Sequence, residues 1–164
     1  MLQNTIETYK SSIQQFMQVL AAIEADRFNA IPFEGSWTPG QVAEHIVLSL
    51  QGVPEMFKEA RPVNRAANEK CKAIAGIFLN FDLKFKAAPA ITPSNDAKDK
   101  EAMMSRLWQV SDSMMDAIQV YDYTGECTAA EVPTLGYLTR LEWMCLAAFH
   151  IQKHTHQLKQ MQVN

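Results

Sequence analysis

Glycine is scarce in this chain, with six in 164 residues, and none sits in a phosphate-cradling loop of the P-loop or dinucleotide type. Few glycines favour helices over turn-rich β architecture. Cysteine is scarcer still. Cys71, Cys127 and Cys145 are an odd set, widely spaced, without a C-x-x-C pair. That pattern argues against a disulfide framework or a cysteine zinc cluster and suits a reducing, cytoplasmic setting. Basic excess is absent: the net charge is −3, which gives no electrostatic case for nucleic acid as a partner. No apolar run is long enough to span a bilayer, so no membrane partner is expected. The first residues are polar, with an early Glu7, and lack the basic-then-apolar layout of a signal peptide. Two metal signatures are missing as well. Without Glu-x-x-His a ferritin-like di-iron site is disfavoured, and without His-Glu-x-x-His so is a metalloprotease of that type.

What is present is helical periodicity. Ile6, Tyr9, Ile13, Phe16, Leu20 and Ile23 recur at spacings of three and four, which predicts an amphipathic helix from about Leu2 to Glu24. A breaker-rich loop follows. Thr38, Pro39 and Gln41 then supply an N-cap, a first-turn proline and a capping-box partner. The second helix carries Val42, His45, Ile46, Ser49, Val53, Met56 and Phe57 on one face, and Pro54 predicts a kink or an early end. Lys72 to Leu83 reads as a short helix and Phe85 to Ser94 as an extended crossover. A third long helix, led in by Ser94-Asn95-Asp96, carries Met103, Leu107, Val110, Met114, Ala117 and Tyr121, broadened by Trp108, with Gly125 to end it. The last helix starts at Thr139, with Glu142 as its capping-box partner. The expectation is one domain over residues 1–164: an all-α four-helix bundle with a long connection between helices two and three. Leu48, Leu50 and Trp108 are candidates for an exposed apolar face, and hence for a homodimer.

Three of the four histidines fall within seven residues of the last helix: His150, His154 and His156. His150 and His154 are one turn apart, in line with Trp143, Ala147 and Met161. His156 lies about 200° round the helix from His154 and points away. His45 stands on the inward face of the second helix. Any one histidine on an apolar face is ordinarily a hydrogen-bonded core residue. Two imidazoles stacked in a core, with a third facing them, are costly unless something pairs with them, and one divalent metal does so. Glu44 and Gln157 are candidates to orient the imidazoles from behind. Trp37 and Trp143 are candidates to line a pocket, and Cys145 is expected as a small core filler.

The segment Trp37-Thr38-Pro39-Gly40-Gln41-Val42-Ala43-Glu44-His45-Ile46 resembles the second-helix signature of the DinB/YfiT-like superfamily. Pro133 to Trp143, running on through His150-Ile151-Gln152-Lys153-His154-Thr155-His156-Gln157-Leu158, resembles its last-helix signature. Phe85 to Pro89 resembles a crossover found in one branch, and Arg61 to Lys84 matches least. The resemblance implies a four-helix bundle holding a mononuclear metal, zinc or nickel, on His45, His150 and His154. Relatives of this kind include S-transferases and an isomerase that use low-molecular-weight thiols as cosubstrates. The expected function is therefore metal activation of a thiol or a water for transfer or hydrolysis on a small molecule. The competing expectation is a non-catalytic binding protein with a structural metal or none.

Overall fold

The computed structural model describes residues 1–163. Four long helices form the bundle: α1 (Leu2–Ala21), α2 (Pro39–Gln51), α5 (Lys100–Val120) and α6 (Arg140–Val163). Between α2 and α5 lie two short helices, α3 (Val53–Met56) and α4 (Cys71–Phe78), and a 3-10 turn at Pro89–Ile91. Helix α1 packs along α6, α2 along α5, and α4 lies across α6. Two short strands, β1 (Ala60–Arg61) and β2 (Glu126–Cys127), pair antiparallel with Ala60 opposite Cys127. They clip the start of the long connection to the loop before α6.

The apolar stripe of α1 is buried at Tyr9, Ile13, Phe16 and Leu20. Burying such side chains contributes roughly 1.5–3 kcal/mol each, which holds α1 against α6. Helix α1 ends at Ala21 rather than Glu24, although Ile23 still turns into the core. Helix α2 ends at Gln51, before Pro54, because proline there offers no N–H to continue the ladder. The short helix in the connection stops at Phe78 instead of running to Leu83.

Other expectations need correction. Helix α5 starts at Lys100, capped by Asp99, whose Oδ1 accepts from the Ala102 N–H at 2.7 Å. Ser94 lies further back, where its carbonyl and hydroxyl accept from the buried Lys98 ammonium. Gly125 does not cap α5, which ends at Val120 with Tyr121 as its C-cap. Instead Gly125 lets the Arg140 guanidinium pass: an added Cβ would sit 2.6 Å from Nη1. Of the candidates for an exposed apolar face, Trp108 is half exposed, whereas Leu50 is buried and unavailable to a dimer. The cysteine reading also fails. Cys71, at the first turn of α4, forms a disulfide with Cys145 on α6, and only Cys127 is free. Cys145 is therefore a covalent tie rather than a filler. The cysteine argument for a reducing compartment goes with it.

The first turns of α6 are anchored by ions. Glu142 is fully buried; it accepts from the Thr139 N–H (2.9 Å), the Lys70 N–H (2.8 Å) and both Arg65 Nη atoms (2.6 and 2.8 Å). Arg65 also reaches Glu126, which pairs in turn with Arg61. These two arginines hold the Glu126 carboxyl below its usual range, against the burial that would raise it. Ahead of α6, Thr134 takes a left-handed φ of 67°, uncommon for a β-branched residue. The turn is held by the Lys70 ammonium, which donates to the carbonyls of Leu135 and Tyr137.

Candidate metal centre

Helix α2 is seated by its first turn. Thr38 Oγ1 accepts from the Gln41 N–H at 3.1 Å, and Gln41 Oε1 accepts from the Thr38 N–H at 3.0 Å. The missing side chain of Gly40 lets Lys98 and Phe28 close in, since a Cβ there would lie 3.1 Å from both. With the start of α2 fixed, the helical phase carries His45 to the face opposite α6, where it is 3% exposed. His150 and His154 meet it from two successive turns of α6.

The three rings converge through their Nε2 atoms. His45 Nε2 lies 3.0 Å from His150 Nε2, and His154 Nε2 lies 3.0 Å from the same atom. The far side of two rings is occupied. His45 Nδ1 is 2.6 Å from the Ile91 carbonyl and His154 Nδ1 is 2.7 Å from Gln157 Oε1. A carbonyl oxygen only accepts, so both Nδ1 atoms carry the proton and, in a neutral ring, both Nε2 atoms are bare lone pairs. A proton on His150 Nε2 can satisfy one of them and not both. At least one partly buried acceptor nitrogen is then left without a donor, which proteins avoid.

One cation at the point of convergence removes the conflict. Imidazole nitrogens bind zinc at about 2.0–2.1 Å, so two of them on one tetrahedral ion stand roughly 3.3 Å apart, a little more than the 3.0 Å here. The donor set thus fits a divalent ion: His45, His150 and His154 form a group able to hold one.

Electrostatics keep the site ready for a cation. Burial, then the neighbouring His45, pushes His154 down to about 3. Burial and the two flanking imidazoles depress His150, and burial depresses His45 against the Ile91 carbonyl that supports its charged form. The α6 rings retain some open surface, so dense packing around their nitrogens lowers them rather than complete withdrawal from solvent. All three are neutral at pH 7, the form that binds metal.

Around the triad, Trp37 packs on His45 (centroids 5.0 Å) and stacks on His154 (6.4 Å). Phe78, at the end of α4, sits edge-on to His150 at 5.4 Å. Trp143 is buried further down α6, and its indole N–H has no hydrogen-bond partner among the described residues. Glu44 turns away from the rings. It accepts from the Ser94 N–H (2.8 Å) and pairs with Lys98 (3.1 Å), so it braces the crossover instead of an imidazole. His156 stacks on Phe81 at 4.2 Å, outside the triad. The sequence reading missed the Ile91 carbonyl and Phe78. A backbone oxygen carries no residue signature, and Phe78 was legible only as an apolar position of a short helix.

No curated protein matches this chain. Among solved structures, the crystal structure of TT2238, a four-helix bundle protein, aligns over 100% of both chains with a TM-score of 0.63 and 17% identity. At that identity the likeness is one of fold. The DinB superfamily profile, by contrast, matches residues 8–158, from the first helix to beyond the last histidine of the triad. A match of that extent, on a bundle whose second and last helices meet through histidines, places the chain in the DinB superfamily.

Proposed function

We propose that this protein is a metal-dependent enzyme in which His45, His150 and His154 hold one divalent ion, zinc or nickel. The reaction is transfer of a low-molecular-weight thiol to a small electrophile, or hydrolysis of a small molecule. The observation that carries the reading is the convergence of three Nε2 atoms with the Nδ1 sides of His45 and His154 already engaged. A divalent ion on three neutral nitrogens supplies a Lewis acid with at least one open position, able to lower the pKa of a thiol or a water.

The protein's own groups do the rest. Ile91 and Gln157 fix the tautomers of His45 and His154, so that both rings present lone pairs inward. Trp37 and Phe78 restrict rotation of the rings and exclude water from their edges. The disulfide and the ion network hold α4 and the start of α6 in register, keeping Phe78 over His150. With Nε2 held by an ion and Nδ1–H donated to Ile91 or Gln157, neither His45 nor His154 would be free to take a proton, so the proton of a bound thiol or water would pass to solvent.

The test is metal analysis of the isolated protein together with calorimetric titration of zinc and nickel. One ion per chain, lost in His45→Ala, is the expected result. Absence of binding, or unchanged binding in His45→Ala, would falsify the reading. Loaded protein is then screened with thiols plus electrophiles, and with simple esters and amides. Retained metal with uniform inactivity would point to a structural ion.

A further inference from the structure

We infer that the approach to this centre is built for an apolar ligand. Its head group reaches the imidazoles while a hydrocarbon chain or ring lies on Phe78, Leu83 and Phe85. The inference rests on the metal-dependent reading above and adds the substrate class.

The first observation is where exposed apolar surface is concentrated. Leu79 (36%), Phe81 (43%), Leu83 (42%) and Phe85 (58%) are all exposed within seven consecutive residues. Elsewhere exposed apolar side chains are sparser: Ile31 and Phe33 share one loop, and Trp108 and Val120 stand apart. Scattered ones need no explanation, whereas a contiguous patch does.

The second observation is what the patch joins. Phe85 packs on Phe78 at 6.4 Å, and Phe78 packs on the His150 ring at 5.4 Å. Phe81, by contrast, stacks on His156, outside the triad, beside Ser11 and Gln15 of α1. The segment is also held in place. Lys153 donates to the Asn80 carbonyl at 2.9 Å with its ammonium 5.5 Å from the Phe85 ring, and the far end is held by Ile91 on His45. The apolar surface is therefore continuous with the candidate ligands.

The third observation is charge. A polar ligand with several carboxylates needs well-placed cations, and the buried and half-buried ones are committed. Arg65 serves two glutamates, Lys70 two carbonyls, Lys98 Ser94, Asp96 and Glu44, and Arg140 the carbonyls of Phe57 and Asp122. Lys153 is engaged by Asn80 and Phe85. Exposed Lys84 and Lys86 alternate with the apolar side chains and form a wet edge to the patch.

The experiment uses cobalt-loaded full-length protein and hydroxamates of rising chain length, which leave the disulfide intact. Cobalt loading is read first from its visible absorption, and failure to load would overturn the metal-dependent reading and this inference together. With cobalt bound, the same bands report each hydroxamate. A fully buried methylene is worth about fourfold in affinity and a half-buried one about twofold, so hexanohydroxamate should bind roughly fifteenfold tighter than acetohydroxamate. The exposed pair Leu83→Ser/Phe85→Ser should flatten that slope with the cobalt spectrum unchanged. Trp108→Ser, equally exposed but on α5, should leave it intact. A flat series in the unsubstituted protein, or a slope that survives the double variant, would overturn the inference and leave the metal site standing. A flat series with a concentration-dependent dimer that the double variant abolishes would assign the patch to a second copy instead.

Discussion

Helix α6 carries two buried polar clusters about 12 Å apart along its axis, and they are solved in opposite ways. At the first turn, Glu142 has every oxygen lone pair directed at a donor and its charge answered by Arg65. Two turns on, His150 and His154 meet His45 with at most one proton between two acceptors. The first cluster is complete within the chain. The second is complete on its outer side alone, at Ile91 and Gln157, and incomplete at its centre. A bundle of this size tolerates one such centre when a ligand from outside finishes it. The difference separates a structural ion network from a binding site more sharply than burial or composition does.

Removing a partner from the complete cluster should cost most. Glu142→Ala leaves the Arg65 guanidinium with Glu126 alone and is expected to destabilise by about 3–5 kcal/mol. Denaturant unfolding measures it, and the folded fraction should still bind one metal per chain. If stability is unchanged, the network is not what anchors α6. Completing the incomplete cluster should have the next largest effect. Zinc at a hundredfold excess over its Kd should stabilise by about 2.7 kcal/mol, seen as a rise in Tm that chelator reverses. The rise should vanish in His45→Gln.

The two clusters should also part on acidification. In the metal-free protein the triad histidines titrate lower folded than unfolded, so the unfolded chain binds more protons as pH falls below about 6.5. Stability is full above that value and declines toward about 3, where His154 charges. The Glu126 carboxyl is likewise depressed, but its contribution begins to fade near 4.5. Urea midpoints between pH 7 and 5 should thus fall in the original chain and hold nearly level in a variant lacking the triad.

Smaller effects refine the comparison. Gln157→Leu removes the acceptor behind His154 and should weaken metal binding tenfold to a hundredfold, by the usual worth of such partners. Glu44→Gln, by contrast, should leave metal affinity unchanged. Smallest is Thr38→Ala, which loses one cap bond and should cost about 1 kcal/mol.

Local chemistry explains which parts of this were legible in the sequence. The Thr38–Gln41 and Thr139–Glu142 boxes are local signals, and the structure forms both. The α1 stripe and the phases of His45, His150 and His154 are also local, because helical period alone sets them. What could not be read depends on distant pairing. The Cys71–Cys145 bond spans 74 positions. Glu44 was assigned to the rings although Lys98 and Ser94, far along the chain, claim it. Trp108 reads by spacing either as core or as exposed apolar face, and only the packing around α5 leaves it half exposed. The start of α5 was misplaced because Ser94, Asn95 and Asp96 are as suitable to begin a helix as Asp99, and only tertiary contacts choose among them.

As a map of covalent bonds, the protein is a closed ring with two tails. The Cys71–Cys145 bond closes the ring, which contains α4, the crossover and α5. His45 rides on the leading tail, and His150 and His154 on the trailing one. The crossover and α4 are therefore the parts of the site's surroundings that can be cut without dividing the molecule. A protease nick between Leu83 and Ala88 should leave a single band on a non-reducing gel and two after reduction, with every histidine still tethered to the same ring.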